Sequence, residues 1–145
     1  MSGVEESLTV KLRRSLVEEM FAHARGCEPE ECCGLLGGRG GEVEETYPLR
    51  NVARSPLVAY EAAPEALFEA QRRMRAAGQT LVGIYHSHPR STDPAPSATD
   101  VRLAFYPSAI YFIIGFGDGG EGVLRAFRIS EREGVWERAA FDVVE

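Results

Sequence analysis

The chain has 145 residues, which suits one domain large enough to bury a core without disulfide or metal support. Its 16 basic and 22 acidic residues give a net charge of −6, and it has no basic block, so nucleic acid is not an expected partner. No apolar run is long enough to span a membrane, and residues 1–6 lack the features of a signal peptide, which predicts a cytoplasmic protein.

Hydrophobic periodicity predicts an α/β domain with a mixed β-sheet flanked by helices. The predicted strands cover residues 8–12, 33–37, 43–47, 80–86, 109–115, 123–129 and 135–143. The predicted helices cover residues 14–25 and 64–77, with a short third helix that starts at Ser97. Gly26 and Gly78 are expected to end the two long helices. No linker or internal repeat divides the chain, so residues 1–145 are predicted to form a single domain.

The three cysteines predict neither a disulfide framework nor a thiolate zinc site. Cys27, Cys32 and Cys33 cannot all pair, the last two are adjacent, and no C-x-x-C is present. We therefore expect reduced thiols, with Cys33 as a small core residue.

Two of the three histidines stand at the end of an apolar run, in the sequence His86-Ser87-His88-Pro89. Residues two apart on a strand face the same side, so the two imidazoles are expected to emerge together. Asp100 completes a set of three ligands, the number that leaves a catalytic zinc ion open to water. A pair of exposed or hydrogen-bonded histidines at a strand end is the alternative interpretation.

The segment Ser97-Ala98-Thr99-Asp100 also fits a helix capping box, in which Ser97 and Asp100 bind each other's main-chain amides. One carboxylate is not expected to serve both as a zinc ligand and as a well-made cap, so a structure can distinguish the two roles. Ser97 can cap the helix and still present its hydroxyl.

A hydrolytic zinc site also needs a proton acceptor, and Glu31 in Pro29-Glu30-Glu31-Cys32-Cys33 is the upstream candidate. Taken alone, a glutamate between a helix and a strand predicts a solvated surface residue. The residues by themselves leave its role open.

Together these motifs resemble the JAMM (MPN+) metallopeptidases of the Mov34/MPN/PAD-1 superfamily. The family pattern is a glutamate before a small-residue apolar strand, then H-x-H-P and S-x-x-D, and Glu31, His86, His88, Ser97 and Asp100 match it. The resemblance implies a cytidine-deaminase-like fold and one zinc ion per chain on His86, His88 and Asp100. It also implies Glu31 as general base and Ser97 as the group that stabilises the tetrahedral intermediate.

The loop after the histidines departs from the family pattern. Eight residues separate His88 from Ser97, where seven is commoner, so the loop is expected to bulge and Asp93 becomes a rival ligand. Asp100 is preferred because Asp93 follows His88 closely in a proline-stiffened loop and has no serine in the required relation.

The resemblance further implies hydrolysis of the peptide or isopeptide bond after the C-terminal Gly-Gly of a ubiquitin-like protein. Related deubiquitinases carry an insertion after the S-x-x-D helix that binds a second ubiquitin, and that insertion is missing here. The chain therefore resembles the compact prokaryotic branch, which implies a small β-grasp sulfur carrier or modifier as substrate. Its extended tail is expected to pair with an edge near residues 56–61.

Two alternatives belong to other functional classes. A catalytically silent MPN scaffold module, which only binds partner proteins, would be expected to lose the metal ligands, and all of them are present here. A zinc nucleobase deaminase would need H-x-E followed by P-C-x-x-C, and that pattern does not occur. The H-E-x-x-H helix of other zinc proteases does not occur either.

Overall fold

The computed structural model describes residues 9–145. Its elements are β1 (Val10–Arg13), α1 (Arg14–Cys27), β2 (Cys33–Arg39), β3 (Glu42–Leu49), α2 (Pro64–Ala76), β4 (Thr80–Ser87), α3 (Ala98–Arg102), β5 (Ile110–Phe116), β6 (Gly122–Ser130), β7 (Val135–Arg138) and β8 (Phe141–Val144). Every predicted helix and strand has an observed counterpart except the last strand, which is divided in two. Leu8, predicted to begin the first strand, lies outside the described residues.

These strands form one mixed sheet in the order β7-β6-β5-β4-β2-β3-β1-β8. β4 pairs with β5 in parallel, and β1 pairs in parallel with both β3 and β8, while the other neighbours are antiparallel. The inner strands β2, β4 and β5 are largely buried, because α1 packs on one face of the sheet and α2 on the other. The α/β prediction, with a mixed sheet flanked by helices, is confirmed.

The prediction of a single strand over residues 135–143 is wrong, because this segment forms two strands at opposite edges of the sheet. β7 pairs with β6, whereas β8 pairs with β1. Only Ala139 and Ala140 separate the two strands, so the sheet must curl until its edges approach each other. Phe141 of β8 accordingly packs on Phe112 of β5, with ring centroids 5.4 Å apart.

The two predicted helix ends have different outcomes. Gly78 follows α2 with a φ of 75°, a left-handed conformation that glycine adopts without strain, so it ends the helix as predicted. Gly26 is not in that conformation and lies inside α1, which continues to Cys27. The predicted helix therefore ends two residues too early.

Two further features concern the cysteines and the helices. Cys27, Cys32 and Cys33 are free thiols, and the last two are buried in the core. Within residues 9–145, no helix combines the length and the apolar character needed to cross a membrane.

The two faces of the sheet carry separate hydrophobic clusters, and this division positions the candidate site. Tyr85 of β4 packs with α1 on one face, whereas Ile84 packs with α2 on the other. Because successive strand residues alternate between faces, His86 lies on the same side as Ile84. The end of β4 therefore presents His86 on the α2 face.

Candidate metal centre

Three side chains meet between the end of β4 and the start of α3. His86 is the penultimate residue of β4, His88 follows the end of the strand, and Asp100 lies in the first turn of α3. The two histidine Nε2 atoms are 3.2 Å apart, and Asp100 Oδ2 lies 3.1 Å from that of His86 and 3.0 Å from that of His88. The imidazoles therefore emerge together, as the two-residue spacing predicts.

The three candidate ligand atoms, two histidine Nε2 atoms and Asp100 Oδ2, form a triangle whose sides are nearly as long as the distances between ligands of one zinc ion. A tetrahedral zinc ion with bonds of about 2.0–2.1 Å holds its ligand atoms about 3.3 Å apart. The His86 and Asp100 side chains are almost completely buried, whereas 18% of the His88 side chain is exposed. Solvent therefore reaches the cluster on the side of His88.

Asp100 takes part in the capping box and in the histidine cluster at once, so the cap does not keep its carboxylate away from the two imidazoles. Its Oδ2 accepts the Ser97 amide at 2.9 Å and also faces both imidazoles. A carboxylate offers about four lone-pair sites, so one amide donor does not exhaust it. Ser97 Oγ accepts the Asp100 amide at 3.0 Å, which leaves the Ser97 hydroxyl hydrogen available to another acceptor.

Glu31 reaches the cluster through the antiparallel pairing of β2 with β4. Cys33 lies opposite His86 in this pair, and the Ser87 amide donates to the Cys32 carbonyl at 3.2 Å. Continuing the register by one more residue brings Glu31 opposite His88. Ligand atoms of Glu31, His86 and His88 lie within 4.8 Å of one another, so this group can hold a metal ion.

Glu31 is buried, although its local sequence predicts a surface residue. Only 5% of the residue is exposed, and Oε1 has no hydrogen-bond partner among the described residues. Burial raises the pKa of the carboxyl to about 7, His88 opposes the rise, and Asp100 adds to it. A carboxyl with this pKa can both take and return a proton near neutral pH.

Burial and the contacts between Asp100 and the two histidines shift the pKa values of the other members of the cluster. Burial lowers the pKa of His86, which favours its neutral form. Burial also acts to lower the pKa of His88, but the hydrogen bond to Asp100 and its charge prevail and raise it. Burial acts to raise the pKa of Asp100, yet hydrogen bonds with both histidines and the Ser97 amide hold that pKa well below its usual range. Asp100 is therefore an anion.

The rival acid Asp93 is not part of the cluster. Its side chain is exposed and accepts hydrogen bonds from Arg125 Nε at 3.2 Å and Arg138 Nη2 at 3.4 Å. The structure thus brings Asp100, and not Asp93, to the two histidines.

The segment between β3 and α2, residues 50–63, forms one wall of the site and is called the site loop below. Its Tyr60 stacks on His86, with ring centroids 4.4 Å apart and an interplanar angle of 25°. His86 Nδ1 has no hydrogen-bond partner among residues 9–145, so the stacking on Tyr60 and the contact of Nε2 with Asp100 orient the ring. Sequence reasoning missed Tyr60, because the site loop has no periodicity that marks one side chain as functional.

An apolar hollow of about 660 Å³ adjoins the cluster. Tyr60 and Ile84 line its inner part, and the exposed residues Leu103 and Phe105 line it after α3. The hollow lies along the site loop. Residues 56–61, where the sequence predicts an edge that pairs with an extended tail, form no strand: residues 56–58 are a turn and residues 59–61 are irregular.

Comparison with known proteins agrees with this geometry. A family model described as prokaryotic homologs of the JAB domain matches residues 13–130. The chain is 40% identical to a desampylase of Haloferax volcanii over 115 residues, which cover 78% of this chain and 82% of the relative. It is also 40% identical to a CysO-cysteine peptidase of Mycobacterium tuberculosis over 120 residues, 81% of each chain.

Two solved structures share the fold. A protein of Desulfitobacterium hafniense superimposes with a TM-score of 0.81 at 38% identity and covers 94% of this chain and 93% of its own. A JAB1/MPN domain protein of Archaeoglobus fulgidus superimposes with a TM-score of 0.58 at 21% identity, covering 94% of this chain and 100% of its own. These matches confirm the fold and the resemblance to JAMM (MPN+) proteins that the motifs indicate. The chain belongs to the family of prokaryotic homologues of the JAB domain.

Proposed function

We propose that this protein is a zinc-dependent metallopeptidase that hydrolyses the peptide or isopeptide bond after the C-terminal Gly-Gly of a small ubiquitin-like or sulfur-carrier protein. The observation that carries the proposal is the triangle of His86, His88 and Asp100 beside the buried carboxyl of Glu31. The names of the relatives, a desampylase and a CysO-cysteine peptidase, support a peptidase activity directed at carrier-type proteins.

The residues present fit one zinc ion per chain, held by His86, His88 and Asp100. Two imidazole nitrogens and one carboxylate oxygen are donors that zinc prefers, and three protein ligands leave the fourth position open. Asp100 Oδ2 lies 3.1 and 3.0 Å from the two imidazole nitrogens, close to the spacing between two ligands of one zinc ion. In this proposal Asp100 is therefore the third ligand, and Glu31 is a neighbour of the metal. When bound, the ion supplies a Lewis acid for the scissile carbonyl and lowers the pKa of a water molecule toward about 7.

Glu31 and Ser97 carry the remaining steps. Glu31 takes a proton from the attacking water and later returns it to the leaving amine, and a pKa of about 7 suits both transfers. The Ser97 hydroxyl donates to the oxyanion of the tetrahedral intermediate, because its oxygen already accepts the Asp100 amide and its hydrogen is available.

The apolar hollow along the site loop is the proposed binding site for the extended tail of the carrier. Glycine at the last two positions lets the main chain of the tail approach the cluster closely, because it has no side chain to obstruct the approach. The segment between α3, which ends at Arg102, and β5, which begins at Ile110, is too short for an insertion that grips a second modifier. The leaving group is therefore recognised weakly and can be small.

The test uses a β-grasp carrier whose chain continues past Gly-Gly. Mass spectrometry should show trimming back to the final glycine by the zinc-loaded protein and no trimming after treatment with a chelator. Replacing the penultimate glycine by a bulky residue should block cleavage. Equal cleavage of that variant, or of unrelated unfolded peptides, would make the protein a general peptidase.

The alternative of a silent MPN scaffold predicts a different result in the same experiment. A scaffold would bind partners but leave the extended carrier intact, whether or not zinc is present. The complete ligand set and the buried acid beside it favour the enzyme.

A further inference from the structure

The site loop contains Asn51, which is the only asparagine in the chain. Its Nδ2 donates to the carbonyls of Glu31 at 2.9 Å and Ala59 at 3.1 Å. Its Oδ1 accepts the amides of Ala53 at 2.9 Å and Glu61 at 3.0 Å. A primary amide has two donor hydrogens and two acceptor lone pairs, so this side chain uses its entire capacity on main-chain groups.

The main chain of Glu31 is held on both sides by the site loop. Its amide donates to the Pro56 carbonyl at 2.8 Å, and its carbonyl accepts Asn51 Nδ2. Glu31 Oε1, by contrast, has no hydrogen-bond partner within residues 9–145. The direction of the carboxylate is therefore set mainly by where the loop holds the main chain of this residue.

We propose that Asn51 is a positioning residue for the general base. Its amide joins the two arms of the site loop, at Ala53 and at Ala59 to Glu61, to the carbonyl of Glu31. It thereby holds the carboxylate of Glu31 toward the histidine cluster. Asn51 itself touches neither the substrate nor the metal. This inference rests on the proposed function, because Glu31 acts as a base only if the reaction is a hydrolysis.

The first test compares Asn51→Ala with Gln79→Ala as a matched control. Gln79 is also a buried amide, bonded to Tyr47 at 2.7 Å and Glu44 at 3.2 Å, but it lies next to the start of β4, at the opposite end from His86. Asn51→Ala should lower kcat about 10- to 100-fold with zinc content unchanged, because a well-placed general base contributes about 10²- to 10⁴-fold. Gln79→Ala should leave kcat unchanged. Equal kcat in wild type and Asn51→Ala would overturn the proposal.

A double-mutant cycle asks whether Asn51 acts through Glu31. In a Glu31→Gln background, measured with excess enzyme over long incubations, Asn51→Ala should cause no further loss, because the group that it positions has been removed. Losses that multiply would show that Asn51 serves binding or general folding, and would overturn the proposal.

Amide hydrogen exchange gives a readout that does not depend on activity. Exchange at the Glu31 amide should be at least about tenfold faster in Asn51→Ala than in wild type, and unchanged in Gln79→Ala. A wild-type protein that cleaves no extended carrier would refute the proposed function, and the exchange result would still decide whether Asn51 holds Glu31. Unchanged exchange at Glu31 would overturn the positioning role even in an active enzyme.

Asn51→Asp is the second variant, and it carries the test if Asn51→Ala does not fold. Aspartate keeps acceptors for the amides of Ala53 and Glu61 but has no donor for the carbonyls of Glu31 and Ala59. It should therefore preserve the joined arms of the site loop and lose kcat as Asn51→Ala does. Wild-type kcat in Asn51→Asp would show that the bond to Glu31 is not what matters.

Discussion

Replacing Glu31 by glutamine tests the proposed base directly. Glutamine keeps the size of the side chain but cannot take a proton from water at neutral pH. We expect kcat to fall about 10²- to 10⁴-fold, the usual contribution of a positioned general base. Zinc content should stay at one ion per chain, because the proposed ligands His86, His88 and Asp100 are untouched.

The same substitution should stabilise the metal-free protein at high pH. Burial raises the pKa of Glu31 from 4.5 to about 7, which corresponds to about 3 kcal/mol of unfavourable free energy for the ionised form. Because the folded pKa is the higher one, this destabilisation is absent below pH 4.5 and reaches its full value above pH 7. Metal-free Glu31→Gln should therefore exceed metal-free wild type in free energy of unfolding by up to about 3 kcal/mol at high pH, with no difference at low pH.

The assays are single-turnover cleavage of an extended carrier, elemental analysis of zinc, and urea unfolding of chelator-treated protein between about pH 4 and pH 8. Glu30→Gln is the matched control, because Glu30 is adjacent in sequence but exposed. It should leave kcat unchanged.

Three results would refute this account of Glu31. Loss of zinc in Glu31→Gln would make Glu31 a ligand. Wild-type turnover would mean that another group is the base. A stability difference that does not depend on pH would contradict the raised pKa.

Other substitutions test the remaining members of the site. Asp100→Asn keeps an acceptor for the Ser97 amide but loses the charge, so it should weaken zinc binding and lower the free energy of unfolding near neutral pH, because the depressed pKa of Asp100 reflects stabilising contacts with both histidines. Asp100→Ala should also lose the bond to the Ser97 amide, which costs about 1 kcal/mol more in thermal or urea unfolding. Ser97→Ala should retain zinc and lower kcat about 10²- to 10³-fold, and unchanged kcat would remove Ser97 from the oxyanion site. Tyr60→Ala should release zinc to a chelator faster than wild type, whereas Tyr60→Phe keeps the stacked ring and should match wild type; equal rates in all three would contradict an orienting role for the stack on His86.

Local spacing in the sequence determined much of the candidate site. His86 and His88 share a face because strand side chains alternate with a period of two, and Ser97 and Asp100 face each other because a capping box joins residues three apart. These relations depend on neighbouring residues alone. Most strands and helices were predictable for the same reason, since each follows from the periodicity of its own segment.

Only the tertiary structure decided which distant segments complete the site. Glu31 stands beside His88 because β2 pairs with β4 in a register that puts Cys33 opposite His86. This placement buries Glu31, and the burial raises its pKa. Asn51 lies in a loop without periodicity, so its four main-chain bonds could not be read from the sequence.

The end of the chain shows the same division between local and long-range information. The alternation of apolar residues over 135–143 predicts extended backbone correctly, but an extended segment does not specify its partner. The curl of the sheet brings its two edges together. The chain therefore passes from β7, which pairs with β6, to β8, which pairs with β1, across only two residues. Pairing between strands depends on contacts across the whole fold, which the local pattern of one strand does not contain.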